Sequence, residues 1–416
     1  MGPLSGLRIV DMTSVLMGPY ATQMLGDFGA DVIKVEAPEG DVLRKVGPAR
    51  HNGMGAMFLT ANRSKRSITL NLKQPEGREA LLSLCKTADV FVYNVRVNAM
   101  KRLGLSYEDV AAVNPRIIYA GMFGYGQTGP YAARPAYDDL IQGGSTLPHL
   151  FSRVNQGTPR YVPTAMADRV VGLVAVGAIL ASVIERDRNG TGQRVDIPMF
   201  ETMVGFVLSD HLWGLTYEPP LDDGGNRRLL SPDRRPYQTQ DGYICALVYT
   251  DAQWSRFFAA INRPEMPAAD PRFCDFVSRM AHINEVYSAL SDIFLTRTTA
   301  YWLELLGQAD VPVMPMHDFQ SIMQDEHLAA TNFFQLVEHP SEGMIRSMAV
   351  PATWSRTGAM PTRLAPRLGE HSEEILREAG FSGDRIAELR SHGVLGAPSA
   401  TSDTRGAPVT GFNEET

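Results

Sequence analysis

Hydrophobic positions near the start of the chain form short apolar runs separated by a segment of mixed character. The apolar runs Arg8–Met12 and Asp31–Glu36 predict strands. Between them, Gly18–Gly29 has Pro19 in its first turn and a glycine at its end, so we predict a helix there. Strand, helix and strand in such a short stretch predict a βαβ unit, and therefore a parallel, doubly wound sheet of the α/β class.

The alternation continues further along the chain. Strands are predicted at Ser67–Leu72, Asp89–Tyr93 and Arg116–Ala120, and a helix at Pro75–Thr87. The glycine-rich loop Gly124–Pro130 follows the last of these strands. Such loops let the backbone approach a ligand closely, but they also simply turn the chain.

A dinucleotide site is one interpretation of this start. Glu36 ends the second strand, where dinucleotide-binding proteins carry an acidic residue. The first turn has no GxGxxG motif, however, and Gly18 is the only glycine near it. A dinucleotide-dependent oxidoreductase therefore remains only as an alternative.

The most apolar segment of the chain is Val170–Ile184, which only Ser182 interrupts. It is about 15 residues long, whereas a membrane-spanning helix needs ~20, so it predicts a buried core helix. The charged residues that follow it, and then Gly190, predict the end of the helix.

Asp168 lies where this apolar helix is predicted to begin. The unpaired N–H groups and the positive dipole end there are expected to keep its carboxylate ionised. An ionised carboxylate in apolar surroundings can act as a nucleophile. Aspartate is also a preferred N-cap residue, so the residues alone leave both roles open.

The second half of the chain changes in composition. Residues 206–240 are rich in Pro, Gly and charge and are predicted to be a linker into a small domain of residues 241–311. Residues 1–205 and 312–397 are predicted to form one discontinuous large domain. The polar stretch 398–416 is predicted to be a disordered tail.

The remaining predicted elements lie in and after the small domain. They are the strands Tyr243–Tyr249 and Ile345–Val350, and the helices Asp251–Ile261, Arg279–Thr296, Trp302–Gln308, Gly369–Arg377 and Ser382–His392.

The overall composition excludes several classes of function. Hydrophobic residues make up 44% of the 416 residues and the net charge is −7, which fits a soluble globular protein and disfavours nucleic acid as a partner. Cys85, Cys245 and Cys274 are scattered, which disfavours a zinc site or disulfides. The first residues lack the pattern of a signal peptide. We expect a cytoplasmic protein with no metal and no membrane partner.

Several stretches of the chain form a set of motifs that occur in a fixed order. They are Leu4–Met12 with Gly18-Pro19 and Gly29–Glu36, Asn62–Lys73, Asn94–Leu105, Gly124–Pro130, Val311–Met316 and Leu368–Leu376. Taken together, they resemble the family III coenzyme A transferases, which include formyl-CoA transferase, the carnitine CoA-transferases and the alpha-methylacyl-CoA racemases. The likeness covers nearly all of residues 4–396.

The resemblance implies a function and an architecture. Asp168 matches the catalytic nucleophile, which would attack an acyl-CoA to give an aspartyl anhydride and then an enzyme–CoA thioester, before a carboxylic acid accepts the CoA. Coenzyme A thioesters would be the substrates, with no permanently bound cofactor. The fold would be a Rossmann-like, CoA-binding large domain with a smaller inserted α+β domain, in an interlocked homodimer.

The resemblance also implies which residues contact CoA. Each of them, taken alone, is equally an ordinary solvated charge or strand end. Arg102 would meet the CoA phosphates, which suits a guanidinium group. The complete set is Val15, Leu16, Met17, Leu70, Asn71, Leu72, Lys73, Asn94, Val95, Arg96, Arg102, Arg134 and Tyr137.

Two departures from the family disfavour the racemase branch. The racemases use a His and a Glu in addition to the Asp, and these positions correspond to Tyr137 and Val248 here. Tyrosine is a poor base near neutral pH and valine cannot take a proton. An acyl-CoA racemase or epimerase, and a non-catalytic CoA-binding protein, remain as alternatives.

Other departures concern formyl-CoA transferase. Leu16 and Ala37 replace its Gln and Arg, and Leu229–Arg235 has no counterpart of its glycine-rich loop. Oxalate is therefore not the expected substrate. The arginines around this segment would either attract a carboxylate acceptor or be ordinary solvated charges; they are Arg227, Arg228, Arg234 and Arg235.

Overall fold

The computed structural model of this chain describes residues 2–155 and 157–396. The chain divides into two compact units. The first contains the described residues up to Ser145, then Val162–Val204 and the residues from His327 onward, and the second contains Thr146–Tyr161 and Gly205–Glu326. The predicted disordered tail, 398–416, lies outside the described residues.

The strands form three separate sheets. They are β1 Arg8–Met12, β2 Asp31–Glu36, β3 Lys65–Thr69, β4 Val90–Tyr93, β5 Ile118–Phe123, β6 Arg194–Pro198, β7 Tyr237–Gln238, β8 Tyr243–Ala246, β9 Val313–Pro315, β10 Phe334–His339 and β11 Gly343–Met348.

The α-helices lie between these strands and after them. They are α1 Met17–Asp27, α2 Ala56–Ala61, α3 Pro75–Cys85, α4 Val97–Arg102, α5 Tyr107–Val113, α6 Asp138–Gly144, α7 Leu147–Asn155, α8 Met166–Asn189, α9 Met199–His211, α10 Asp251–Ala260, α11 Met266–Ala269, α12 Phe276–Ala281, α13 Ile283–Phe294, α14 Thr299–Gln308, α15 Glu326–Ala330, α16 Ser372–Glu378 and α17 Gly383–Ser391.

The main sheet belongs to the first unit and has six strands in the order β3-β2-β1-β4-β5-β6. Each neighbouring pair is parallel; for example, Ile9 of β1 aligns with Val32 of β2 and with Val90 of β4. This confirms the predicted α/β class with a parallel sheet. The chain moves outward from β1 in one direction and then from β4 in the other, so the sheet has a switch point between these two strands.

The main sheet is buried more uniformly than the apolar pattern alone explains. Every residue of β3, β4 and β5 is buried, as expected for parallel strands that are covered on both faces. Charged residues are buried there too: Asp11, Lys34 and Lys65 are all fully buried. Lysine and aspartate are almost never fully buried unless they are paired, so these residues belong to a network of ion pairs.

The long apolar helix α8 is more exposed than predicted. Val171 and Ile179 are buried, but Leu173 is 54% exposed and Ile184 is 53% exposed. The predicted buried core helix is therefore buried along one side only, because packing in this chain covers only that side. In the part of the chain that the structure describes, α8 is also the one helix long and apolar enough to cross a membrane. The most apolar stretch of α8 has a mean hydropathy of 2.0, and 39% of that stretch is buried.

The second unit contains a small antiparallel sheet and an aromatic core. Strand β9 pairs with β8, with Val313 opposite Ala246 and Pro315 opposite Ile244. This pairing places residues 312–326 in the second unit rather than in the predicted large domain. The core contains Trp254, Phe257, Phe258, Phe273, Phe294 and Trp302.

Candidate active site

A cavity of about 260 Å³ opens at the carboxyl ends of β1, β4 and β5. Residues 14–17 line it after β1, Asn94 and Arg96 line it after β4, and residues 122–124 line it at the end of β5. Asp168 contributes to the same wall. The cavity therefore lies at the switch point of the sheet, where parallel α/β proteins bind their ligands.

Asp168 is the third residue of α8, and it is not the N-cap. The N-cap position is occupied by Ala165, whose side chain makes no capping hydrogen bond. The capping interpretation of Asp168 is therefore wrong. The backbone N–H of Asp168 instead donates to Oδ1 of Asp138 at 2.9 Å, so a carboxylate from α6 satisfies one of the free N–H groups at the start of α8.

Gln142 connects Asp138 to the segment that precedes α8. It is fully buried, and its side-chain amide donates to Oδ2 of Asp138 at 2.6 Å. The same amide donates to the carbonyl oxygens of Val162 and Thr164, and its oxygen accepts from the N–H of Val162 at 2.9 Å. One side chain of α6 thus fixes both the carboxylate that caps α8 and the turns at residues 162–166 that lead into it.

The electrostatics of Asp168 differ from the sequence-based expectation. Burial raises its pKa to about 6, and the charge of Asp138 acts in the same direction, while Arg169 opposes both. We expected the helix N-terminus to favour the ionised form. Loss of solvation raises the pKa instead, so Asp168 is mostly ionised at neutral pH but gains a proton just below it.

Seven of the predicted CoA-contacting residues line the same cavity as Asp168. Tyr137 and Arg134 are exposed at its mouth, and the Arg134 guanidinium lies 3.9 Å from the centre of the Tyr131 ring. The seven residues are Val15, Leu16, Met17, Asn94, Arg96, Arg134 and Tyr137.

A second cavity, of about 480 Å³, is lined by the other predicted residues with one exception. Ser14 lines both cavities, so they adjoin at the loop after β1. The predicted residues in the second cavity are Leu70, Asn71, Leu72, Lys73 and Val95. The exception is Arg102, an exposed residue at the end of α4 that lines neither of the two cavities.

Sequence reasoning missed Asp138 and Gln142. Asp138 directly follows Tyr137, which was singled out, and Gln142 lies four residues further on, so both face the same side of α6. The four-residue spacing between Asp138 and Gln142 was the sequence signal that could have linked these two residues. It could not reveal that the two side chains meet the start of α8, because a contact across some 30 residues depends on the tertiary fold.

Comparison with known proteins decides the family. The sequence model of CoA-transferase family III matches residues 4–372. The chain belongs to this family. The chain is 32% identical to the human succinyl-CoA:glutarate CoA-transferase over 398 residues, which is 94% of this chain and 90% of the human protein.

Two further proteins are similar along almost their whole length. The beta subunit of the succinyl-CoA–L-malate CoA-transferase of Chloroflexus aurantiacus is 32% identical, with 94% of this chain and 98% of that one covered. The crystal structure of a CAIB/BAIF family protein from Brucella suis superposes with a TM-score of 0.76 at 32% identity, covering 91% of this chain and 99% of that chain. The protein is therefore an enzyme that transfers CoA between an acyl-CoA and a carboxylic acid.

The structure of this CoA-transferase disfavours two alternatives, an acyl-CoA racemase and a dinucleotide-dependent oxidoreductase. Val248, at the position of the racemase Glu, is 4% exposed and belongs to the apolar core of the second unit. Glu36, at the position of a ribose-binding acid, is buried and accepts two hydrogen bonds of 2.7 Å from the Arg44 guanidinium. This pairing occupies the carboxylate that a dinucleotide would need.

Proposed function

We propose that Asp168 is the nucleophile of this CoA-transferase and that acyl-CoA reacts in the cavity at the carboxyl ends of β1, β4 and β5. The observation that carries this proposal is a partly buried carboxylate, with a pKa of about 6, in the wall of that cavity. At neutral pH such a carboxylate is mostly ionised and is less solvated than one on the surface. Both properties favour nucleophilic attack.

The first half of the reaction moves CoA onto the enzyme. A carboxylate oxygen of Asp168 attacks the thioester carbonyl of the donor; a C–O bond forms, the C–S bond breaks, and CoA leaves as a thiolate. The product on the enzyme is a mixed anhydride of Asp168 and the donor acid. The thiolate then attacks the Asp168 carbonyl, releases the donor as a carboxylate and leaves Asp168 as a CoA thioester.

The second half repeats these steps in reverse with a new acid. The acceptor carboxylate attacks the Asp168 thioester and expels the CoA thiolate, which gives an anhydride of Asp168 and the acceptor. The thiolate attacks the acceptor carbonyl and expels Asp168 as a carboxylate. Each bond broken is replaced by one of similar energy, so the acyl group stays activated throughout.

The glycine loop after β5 is suited to approach the reacting carbonyl. A Cβ atom at Gly124 would lie 2.2 Å from the Cβ of Ala136, so only glycine allows the loop to pack against residues 134–137. Gly124 lines the cavity with Asp168. In the proposed reaction, backbone N–H groups of this loop stabilise the oxyanions that form at each attack.

The proposed acids are dicarboxylic acids. The human and Chloroflexus relatives are named for succinyl-CoA with glutarate and with L-malate. In this chain Arg96 and Arg134 line the cavity, and no carboxylate among residues 2–155 and 157–396 pairs with either guanidinium. A guanidinium binds a carboxylate in a bidentate fashion. Arg134 would hold the distal carboxylate of the acyl group, and Arg96 the CoA.

The proposed assembly is a homodimer in which a second copy covers the outer side of α8. Leu173, Val174 and Ile184 are exposed there, and Gly177 has open space beside it. A contiguous apolar stripe of this length is unusual on the surface of a soluble monomer and is typical of an interface.

Trapping the acyl-enzyme tests the proposed nucleophile. The protein is incubated with succinyl-CoA, glutaryl-CoA or acetyl-CoA, hydroxylamine is added, and the peptide that contains Asp168 is examined by mass spectrometry. Hydroxylamine converts an aspartyl anhydride or thioester to a hydroxamate. We expect the hydroxamate on Asp168, no adduct in Asp168→Ala, and an unchanged adduct in Asp139→Ala, which removes an exposed neighbouring carboxylate.

Other outcomes would point to the alternative functions. Transfer activity that survives in Asp168→Ala would exclude Asp168 as the nucleophile. Deuterium uptake from heavy water at the α-carbon of the acyl group, without transfer, would favour the racemase. Binding of CoA without turnover of any donor would favour a non-catalytic CoA-binding protein.

A further inference from the structure

Side chains hold the backbone of Thr13, Ser14 and Val15 in the loop between β1 and α1. Oδ1 of Asp11 accepts from the N–H of Thr13 at 2.9 Å, and the carbonyl oxygen of Thr13 accepts from Nζ of Lys34 at 3.0 Å. Ser14 and Asn94 exchange two hydrogen bonds, of 3.1 Å and 2.8 Å. The loop therefore has no freedom to shift without breaking a bond to the sheet.

Asp41 makes further contacts with this loop. Its Oδ1 accepts from the N–H of Val15 at 3.2 Å and from the N–H of Leu43 at 3.0 Å. Its Oδ2 accepts from Nζ of Lys34 at 2.9 Å, and the two side chains are 1% and 0% exposed. The buried ion pair of Lys34 and Asp41 thus binds the loop backbone on both sides of Ser14, at Thr13 and at Val15.

Lys34 is charged in this environment. Burial by itself lowers its pKa, but the nearby carboxylates of Asp11, Asp41 and Glu36 outweigh that effect, and the pKa is raised. A buried charge that loses its partner is strongly unfavourable. The pair therefore acts as a unit, and loss of either member should free the loop.

The loop carries conformational strain at the residue that Asp41 holds. Val15 has a φ of 67°, in the left-handed region. For a β-branched residue this conformation is an outlier, because the Cβ atom meets the backbone. Such strain persists only where the surrounding structure enforces it, and it is found most often at ligand sites. Val15 lines the cavity with Asp168, and so do Leu16 and Met17.

We propose that Lys34 and Asp41 are positioning residues, which hold Val15 in the left-handed conformation so that residues 15–17 form one wall of the CoA site. Neither residue needs to touch the reacting atoms. The inference rests on the proposed function, because it takes the cavity next to Asp168 to be the place where CoA binds. Without the pair, Val15 relaxes to a negative φ and residues 15–17 turn away from the cavity.

Four variants separate positioning from plain stability. Lys34→Met keeps the bulk of the side chain but removes the ammonium group. Arg63→Met is the control, since it removes another mostly enclosed cation, 12% exposed, which pairs at 2.8 Å with Asp27 at the end of α1. In the Lys34→Met background, Val15→Gly removes the strain and Val15→Ala shortens the side chain but keeps the Cβ atom.

The affinity for coenzyme A itself is the main measurement, by titration calorimetry, with the thermal midpoint and succinyl-CoA:glutarate transfer recorded beside it. We expect Lys34→Met to weaken CoA binding about tenfold or more, and Arg63→Met to lower the midpoint with little change in affinity. Val15→Gly should restore most of the affinity in the Lys34→Met background. Val15→Ala should not, because alanine is strained at the same φ.

Two results would overturn the proposal. The first is CoA affinity in Lys34→Met that matches the Arg63→Met control. The second is equal rescue by glycine and alanine at position 15, which would show that the side chain and not the backbone conformation matters. Failure of the proposed function looks different: Asp168→Ala would then retain transfer activity, whatever the affinities of the Lys34 variants.

Discussion

The backbone N–H of Asp168 donates a hydrogen bond of 2.9 Å to Oδ1 of Asp138, so one carboxylate caps the helix that carries the other. The contact has two opposing effects. It fixes the start of α8, and it brings a second negative charge near Asp168, which adds to the effect of burial in raising the pKa of Asp168 to about 6. The geometry of the candidate nucleophile and its protonation are therefore coupled through Asp138.

Asp138→Asn should shift the pH dependence of the reaction toward acid. For the native enzyme we expect kcat/KM to fall as the pH drops through about 6, since a protonated Asp168 cannot attack. Removing the charge of Asp138 lowers the pKa of Asp168, so the fall should begin at lower pH. Some stability will be lost because the new amide meets Gln142. The pH midpoint of kcat/KM is therefore the quantity to compare, and an unchanged midpoint would contradict this account.

Asp168→Asn should stabilise the fold at neutral pH. The pKa is about 6 in the folded protein and 3.8 in the unfolded reference, so the folded state binds the proton more tightly and stability falls as the pH rises between these values. Above pH 6 the ionised side chain costs roughly 1–3 kcal/mol, which Asn removes. Thermal midpoints should be higher for the variant at pH 7 and converge with those of the native protein near pH 4.

Gln142→Leu should destabilise the first unit. Leucine has a similar volume but removes the amide partner of the Val162 N–H and of Oδ2 of Asp138. The carbonyl oxygens of Val162 and Thr164 keep their hydrogen bonds to the N–H groups of Thr164 and Met166. A buried polar group left unpaired costs about 1–3 kcal/mol, so we expect a loss of about 1–3 kcal/mol. Chemical denaturation measures this. A stability equal to that of the native protein would mean that water replaces the amide.

Arg134→Gln should raise the KM for dicarboxylic acceptor acids more than the KM for a monocarboxylic one. If Arg134 holds the distal carboxylate, KM should rise about tenfold or more for glutarate or L-malate and change little for acetate, which has no second carboxylate. Arg96→Gln, at the same cavity, is the comparison and should raise KM for the CoA donor instead. Equal effects on acetate and glutarate would remove the proposed role of Arg134.

Leu173→Glu should disrupt the proposed homodimer. Leu173 is 54% exposed on the outer side of α8, so the substitution does not disturb the interior of this chain but places a charge where a second copy is proposed to pack. Light scattering should give a dimer for the native protein and a monomer for the variant. A native monomer that binds lipid vesicles would indicate that a membrane, rather than a second copy, covers this helix.

Local pattern predicted much of the main sheet. The limits of β1 and β2 were predicted to the residue, because both strands are bounded by clear changes in hydrophobicity. β3 was placed two residues too late, at Ser67 instead of Lys65. The buried lysine and arginine at its start do not look like strand residues until their partners, Asp11 and Asp31, are known.

The alternation of strands and helices and the absence of a glycine fingerprint were determined by the sequence itself, since each depends on neighbouring residues. The nucleophile role of Asp168 came from the family resemblance and stays a prediction, because its neighbouring residues alone fitted an N-cap equally. The tertiary structure alone decided that Asp138 and Gln142 meet α8, that Lys34 and Asp41 grip the loop at Val15, and that one side of α8 stays exposed. These are contacts between distant segments. Their energies depend on burial and on the charges brought together, which no local pattern of residues records.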